Sequence, residues 1–160
     1  MAQVNNSSDQ LRISFELSRA PEGHADWFPG VIREERFSKR ENRYYPIIDG
    51  SFEIYTDDLS RLRKELVAFL TASDDSKNIK FVPVAEPSFE LSLERIPHGH
   101  DYCQVVSVAV DLKMFAPMEM PIAYGENRVS TRIHTTNDKI EKFVQALLME
   151  IDRAMGNNGG

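Results

Sequence analysis

The chain has one cysteine, Cys103, which excludes an internal disulfide and any zinc site built from several cysteines. It has no apolar run approaching the roughly 18 residues that a membrane-spanning helix needs. The opening MAQVNNSSDQ lacks the basic stretch followed by an apolar run that marks a secretory signal. A reduced, cytoplasmic setting is therefore expected. Also missing are a glycine-rich phosphate loop, a dinucleotide fingerprint, a calcium loop and a Gly-x-Ser-x-Gly elbow. Positive charge is in deficit: 19 Lys and Arg stand against 25 Asp and Glu, a net charge of −6. A surplus of that sign repels phosphate backbones, so no nucleic-acid partner is expected.

One stretch departs from that balance. Between Arg33 and Arg43, REERFSKRENR carries Arg33, Arg36, Lys39, Arg40 and Arg43, interleaved with Glu34, Glu35 and Glu41. Mixed charge of this kind reads as a solvated loop or strand face.

What is present is enough for a core. The chain has 160 residues, 41% of them hydrophobic and 28% charged, which suits one domain burying roughly two-thirds of its unfolded surface. Polar ends suggest a flexible tail over 1–10, a domain over 11–155 and a second tail over 156–160. Period-two alternation predicts strands at Leu11–Leu17, around 27–37 and around 45–55, with Asp49-Gly50 as a tight turn. Thr56-Asp57-Asp58 supplies a cap and first-turn acids for a helix whose apolar stripe is Leu59, Leu62, Leu66, Val67, Phe69 and Leu70. The helix ends near Ala72, before the loop Ser73 to Ser76.

Strands follow near 79–84 and 88–95. In the second, Phe89, Leu91 and Leu93 share one face, while Ser88, Glu90, Ser92 and Glu94 share a wet one. Pro87 cannot donate a ladder hydrogen bond and fits the strand's start. After a turn at Pro97 to His100, a long strand runs from Tyr102 to Leu112. The Pro- and Met-rich segment from Lys113 to Asn127 reads as a loop or interrupted strand, and Arg128–Ile133 resumes alternation. Thr135 and Asp138 form an approximate capping box before a helix with Ile140, Phe143, Val144, Leu147, Leu148 and Ile151 on one side. The expected fold is α+β, a mostly antiparallel sheet with two amphipathic helices packed on it. Two halves of strands followed by a capped helix hint at a remote duplication.

Candidate chemistry is thin. His98, His100 and Asp101 could reach one metal, yet the stretch sits where a hairpin must turn and lacks further ligands nearby. No metal or cofactor is expected. Cys103, on a strand beside Val105 and Val106, reads as a small core residue. Trp27, Phe28, Tyr44 and Tyr45 could anchor a protein partner, with core packing the commoner fate of such rings. Met114, Met118 and Met120 could adapt to a partner surface or pack over a sheet edge.

In layout the chain resembles the WapI-type family of bacterial immunity proteins. The resemblance runs through LRISFEL, DWFPGVI, SFEIYTDDLSRLRKELVAFL, EPSFELSLER, the turn HGH, VVSVAVDL and VSTRIHTTNDKIEKFVQALLMEI, over roughly residues 11–153. In it Glu86-Pro87 would lead into the central strand. The resemblance implies a non-catalytic protein that binds a cognate toxin domain and blocks it. An acidic inhibitor would be steered toward a basic target, and Asp57, Asp58, Asp74, Asp75, Glu90 and Glu94 are candidate contacts. A small regulatory or adaptor domain binding a protein at a sheet edge, and a hydrolase using the His98/His100/Asp101 cluster, are the alternatives.

Overall fold

The computed structural model describes residues 1–72, 78–85, 88–98, 101–111 and 128–156, with backbone alone over 95–98, 101–111 and 128–131. The elements are β1 (Ala2–Asn5), β2 (Leu11–Leu17), β3 (Trp27–Ser38), β4 (Arg43–Tyr55), α1 (Thr56–Thr71), β5 (Ile79–Phe81), β6 (Phe89–His98), β7 (Asp101–Asp111), β8 (Arg128–Thr136) and α2 (Asn137–Ala154). The α+β class is as expected. The antiparallel strands are divided between two four-stranded sheets, ordered β1-β2-β3-β4 and β5-β6-β7-β8. Each half of the chain is thus a meander of four strands followed by a helix.

The two sheets share one core. Ile13, Phe15 and Leu17 of β2, with Phe28 and Ile32 of β3 and Phe52 and Ile54 of β4, turn inward from the first sheet. Phe81, Phe89, Leu91 and Leu93 turn inward from the second. They meet in a cluster of rings: Phe89 lies 4.6 Å from Phe52, 5.8 Å from Phe15 and 6.0 Å from Phe81 between centroids. The helices close this core. Leu59, Leu62, Leu66 and Phe69 recur at three and four residues along α1, as do Ile140, Phe143, Val144, Leu147 and Ile151 along α2, and all are buried. Leu70 and Leu148 pack partly against it, while Val67 stays on the surface. α2 touches strands of both sheets and α1. Neither helix is long and apolar enough to cross a membrane, among the described residues.

Several expectations change. Residues 2–5, taken as part of a tail, form β1, because Ala2 and Val4 alternate inward opposite Phe15 and Ile13. Asp49 and Gly50 do not turn the chain. They lie inside β4 opposite Arg33 and Ile32. The turn comes instead at 39–42, where Asn42 adopts φ 51°, a left-handed conformation that a short amide side chain tolerates. The helix starts also shift. Tyr55 precedes α1 without a side-chain cap. Thr136, not Thr135, caps α2, accepting the Lys139 N–H at 3.4 Å. Thr135 is buried and donates to the Asn5 carbonyl at 2.6 Å. Ser88 and Ser92 are buried too, so the face of β6 expected to be wet is only half so.

The ring cluster makes a quantitative expectation. Phe89→Ala should cost about 3–5 kcal/mol in urea unfolding, the usual loss for a buried Phe. Val67→Ala, on an exposed face, should stay within about 0.5 kcal/mol. Similar losses for the two would show that Phe89 does not join the sheets.

Candidate functional site

The acids singled out by sequence do not converge. Asp57 is exposed on the first turn of α1. Asp58 is buried and accepts the N–H groups of Val84 at 2.9 Å and Ala85 at 3.1 Å, with Arg61 at 3.0 Å. Burial works to raise its carboxyl. The two N–H groups and the guanidinium outweigh that and hold it below the ordinary carboxylate value. Arg61 continues to the Val82 carbonyl at 2.6 Å and lies 4.3 Å over the Phe81 ring. Asp58 is thus a clamp between α1 and the chain after β5. Glu90 is half-buried beside Ser92 and Lys80, and Glu94 is half-buried on β6.

Asp74, Asp75, Glu86, Pro87, Gly99, His100 and the methionine segment 112–127 lie outside the described residues. His98 and Asp101 stand opposite each other at the β6–β7 junction, and Cys103 lies in β7 opposite Ile96 and Thr136. Among the described residues no group of acids, histidines and cysteines could hold a metal. Trp27 is half-buried, its ring 5.8 Å from that of His24, and Phe28 is in the core.

What the fold does assemble is a charged hairpin. β3 and β4 pair from Trp27↔Tyr55 out to Ser38↔Arg43, with a register shift at Glu34/Glu35. Ile47 is the surplus residue of that bulge. On the outer face of the first sheet the charges are matched. Arg12 pairs with Glu35 at 2.7 Å, Ser14 donates to Glu35 at 2.6 Å, and Arg33 sits 3.3 Å from both Glu16 and Asp49. Burial tends to raise the Glu35 carboxyl, and Arg12 and Ser14 together bring it below its ordinary value. A hollow of about 500 Å³ on this face is lined by Glu16, Arg33, Ser51 and Glu53 among others. Its carboxylates make it a poor seat for an anion.

Toward the tip the balance reverses. Residues 36–43 hold Arg36, Lys39, Arg40 and Arg43 against Glu41, a net of +3, so the rest of the chain carries −9 of the total −6. Arg36, Lys39 and Arg40 are exposed and have no ion pair among the described residues. Arg43 pairs with Glu41 at 2.9 Å and lies 4.4 Å over the Tyr45 ring. Phe37 and Tyr44 contact at 5.2 Å between centroids. Tyr44 is fixed from below: its hydroxyl donates to the Asp9 carbonyl at 2.7 Å and accepts from Asn5 at 3.0 Å, and Arg12 covers its ring at 3.9 Å. Asp9 also meets the Lys139 ammonium at 2.9 Å, which with Asn5 keeps its carboxyl below the ordinary value. The tip therefore joins free cations to ring faces on a rigid base.

No family model matches the chain, and no curated protein matches it. Among solved structures it is similar to one described as the plant transcriptional regulator PBF-2, at 11% identity over 96% of this chain and 81% of that one, with a TM-score of 0.48. It is similar also to WHY1 from Arabidopsis thaliana, at 11% identity over 98% and 91%, with a TM-score of 0.49. With a transcriptional regulator as a structural neighbour, the expectations of a toxin-neutralising role, of a toxin partner and of no nucleic acid are corrected. The physical reason lies in averaging: a whole-chain charge of −6 concealed a +3 hairpin. The basic stretch is visible in the sequence, Arg36 to Arg43 followed directly by Tyr44-Tyr45. In sequence alone its interleaved glutamates suggest neutralisation.

Asp58 gives a pH dependence with a definite sign. Its carboxyl titrates lower when folded than when unfolded, so its contribution is full above the ordinary value of 3.8 and is lost as pH falls through the lower folded value. Asp58→Ala should cost about 1–3 kcal/mol at neutral pH by leaving two N–H groups without their acceptor. In urea melts across the acid range, the variant should lose less stability on acidification than the wild type. Parallel curves would remove Asp58 from that role.

Proposed function

We propose that the protein binds single-stranded nucleic acid, without catalysis, through the far half of the β3–β4 hairpin. The observation that carries this reading is the coincidence of Arg36, Lys39 and Arg40, exposed and without ion pairs among the described residues, with the ring of Tyr45. Cations track a phosphate backbone, and aromatic faces receive unstacked bases. A duplex keeps its bases stacked inside and offers such rings nothing to contact. The acidic remainder repels the strand elsewhere. Contact is thereby confined to a short segment, which predicts modest affinity and a strong dependence on salt.

Fluorescence anisotropy with a short labelled oligothymidylate, measured between about 50 and 200 mM salt, tests this. The wild type should bind at the low end and release as salt rises. Arg36→Ala/Lys39→Ala/Arg40→Ala should bind more weakly, with the slope of log affinity against log salt reduced by about 2, or roughly 0.7 per cation removed. Its thermal midpoint should not move, because all three side chains are exposed. Absence of wild-type binding at low salt, or an unchanged slope in the variant, would sink the proposal.

A further inference from the structure

We infer that the hairpin receives the strand on one face only, with an unpaired base stacked on Tyr45 in the place that the Arg43 guanidinium occupies. This rests on the binding role proposed above. In an antiparallel pair, residues directly opposite share a face and alternate along each strand. The partners Arg36↔Tyr45 and Ser38↔Arg43 therefore set Arg36, Ser38, Arg43 and Tyr45 on one side, and Phe37↔Tyr44 sets those two rings on the other.

The two faces differ in how firmly their rings are covered. Over Tyr44 the Arg12 guanidinium is held by Glu35, with only 21% and 13% of the two side chains exposed. Moving Arg12 would leave a partly buried carboxylate without its cation, which is strongly unfavourable. Tyr44 itself is tied to Asp9 and Asn5. That face is closed. Over Tyr45, Arg43 is held by Glu41, with 64% and 50% of these side chains exposed. Such a solvated pair contributes little and is readily exchanged.

Tyr45 itself is a fixed platform. Its residue is half-buried and its hydroxyl is enclosed without a hydrogen-bond partner among the described residues, so the inner end of the ring is held by packing while the Arg43 guanidinium lies over a face. A base sliding over the ring would displace Arg43, whose guanidinium can then pair with the adjoining phosphate by charge-assisted hydrogen bonds. Glu41 returns to water. Arg36, opposite Tyr45 on the same face, is placed for the next phosphate along. The exchange trades one cation–π contact for base stacking plus a phosphate pair, and it requires a ligand with both bases and phosphates.

The test compares wild type, Tyr45→Ala, Tyr45→Leu and Arg12→Ala for affinity toward the labelled oligothymidylate and toward inorganic polyphosphate, with thermal unfolding of each. Tyr45→Ala should weaken the oligonucleotide about tenfold or more, the usual loss for one stacked base, and leave polyphosphate, which has no bases, held as before. Tyr45→Leu keeps apolar bulk without a π face and should show the same selective loss, which guards against a folding defect in the alanine variant. Arg12→Ala, which leaves Glu35 without its cation, should melt at a lower temperature yet retain wild-type affinity for both ligands when measured well below its own midpoint. Equal affinity of wild type and both Tyr45 variants for the oligonucleotide overturns the inference while leaving the binding role intact. So does a loss in Arg12→Ala as large as in Tyr45→Ala. A wild type that binds no oligonucleotide overturns the binding role, and this inference with it.

Discussion

The contact between Phe52 and Gly30 sets the spacing on which the rest of the molecule depends. The two residues face each other across β3 and β4, and a Cβ at Gly30 would lie 2.1 Å from the Phe52 ring. No side chain fits there. The ring can therefore lie down on the strand opposite, and from that position it meets Phe15 at 5.0 Å and Phe89 at 4.6 Å. Phe89 belongs to the other sheet, so this one close approach fixes how near the two sheets come. Rings of this size dominate the burial in a core, and tilted arrangements such as these add to their area. Both apolar helix stripes then have a defined surface to cover.

A second set of contacts ties the hairpin's base to that core. The chain between β1 and β2 folds back through Asn6, whose side chain accepts the N–H groups of Gln10 and Leu11 at 2.9 and 3.1 Å. Asp9, at φ 56°, then reaches both Tyr44 on β4 and Lys139 on the first turn of α2. Ser7 donates to the His134 carbonyl at 2.9 Å, so the same loop bridges to β8 of the second sheet. At the opposite end of α2, the buried Glu150 accepts the Leu17 N–H at 3.2 Å and pairs with Arg153 at 2.7 Å and with the Met1 amino group. A carboxylate this enclosed is tolerated because each of its oxygens has a donor. Helix, sheet and hairpin base are therefore tied to one another, and the tip lies beyond these contacts.

Much of this was legible in sequence. Period-two and helical spacing placed both helices and most strands, because Leu59 to Phe69 and Ile140 to Ile151 each have a single core to face. The failures share a cause. Asp49-Gly50 has the composition of a tight turn, yet Ile32 across the ladder and the inward-facing Phe52 and Ile54 beside it hold the pair inside a strand. Local turn preference lost to register. Ala2 and Val4 were hidden among polar neighbours, since two apolar residues are too short a pattern to distinguish from a tail. Asp58 looked like a surface acid because nothing local announces that the N–H groups of Val84 and Ala85, 26 and 27 residues on, point at it.

The site itself shows the same limit in electrostatic form. Charge interacts over about a Debye length, on the order of 10 Å at ordinary ionic strength, so a ligand responds to the side chains around it and not to a chain total. Along REERFSKRENR, acids and bases alternate closely enough to suggest neutralisation. The ladder sorts them differently. Glu35 is drawn to Arg12 on β2, and Arg33 is drawn to Glu16 and Asp49, so both leave the local balance for partners far away in sequence. What stays at the tip is Arg36, Lys39 and Arg40, with Arg43 shared between Glu41 and the Tyr45 ring. Cross-strand pairing thus decides which charges are spent inside the protein and which face solvent. A basic surface on an acidic protein follows from that sorting, which the whole-chain total does not show.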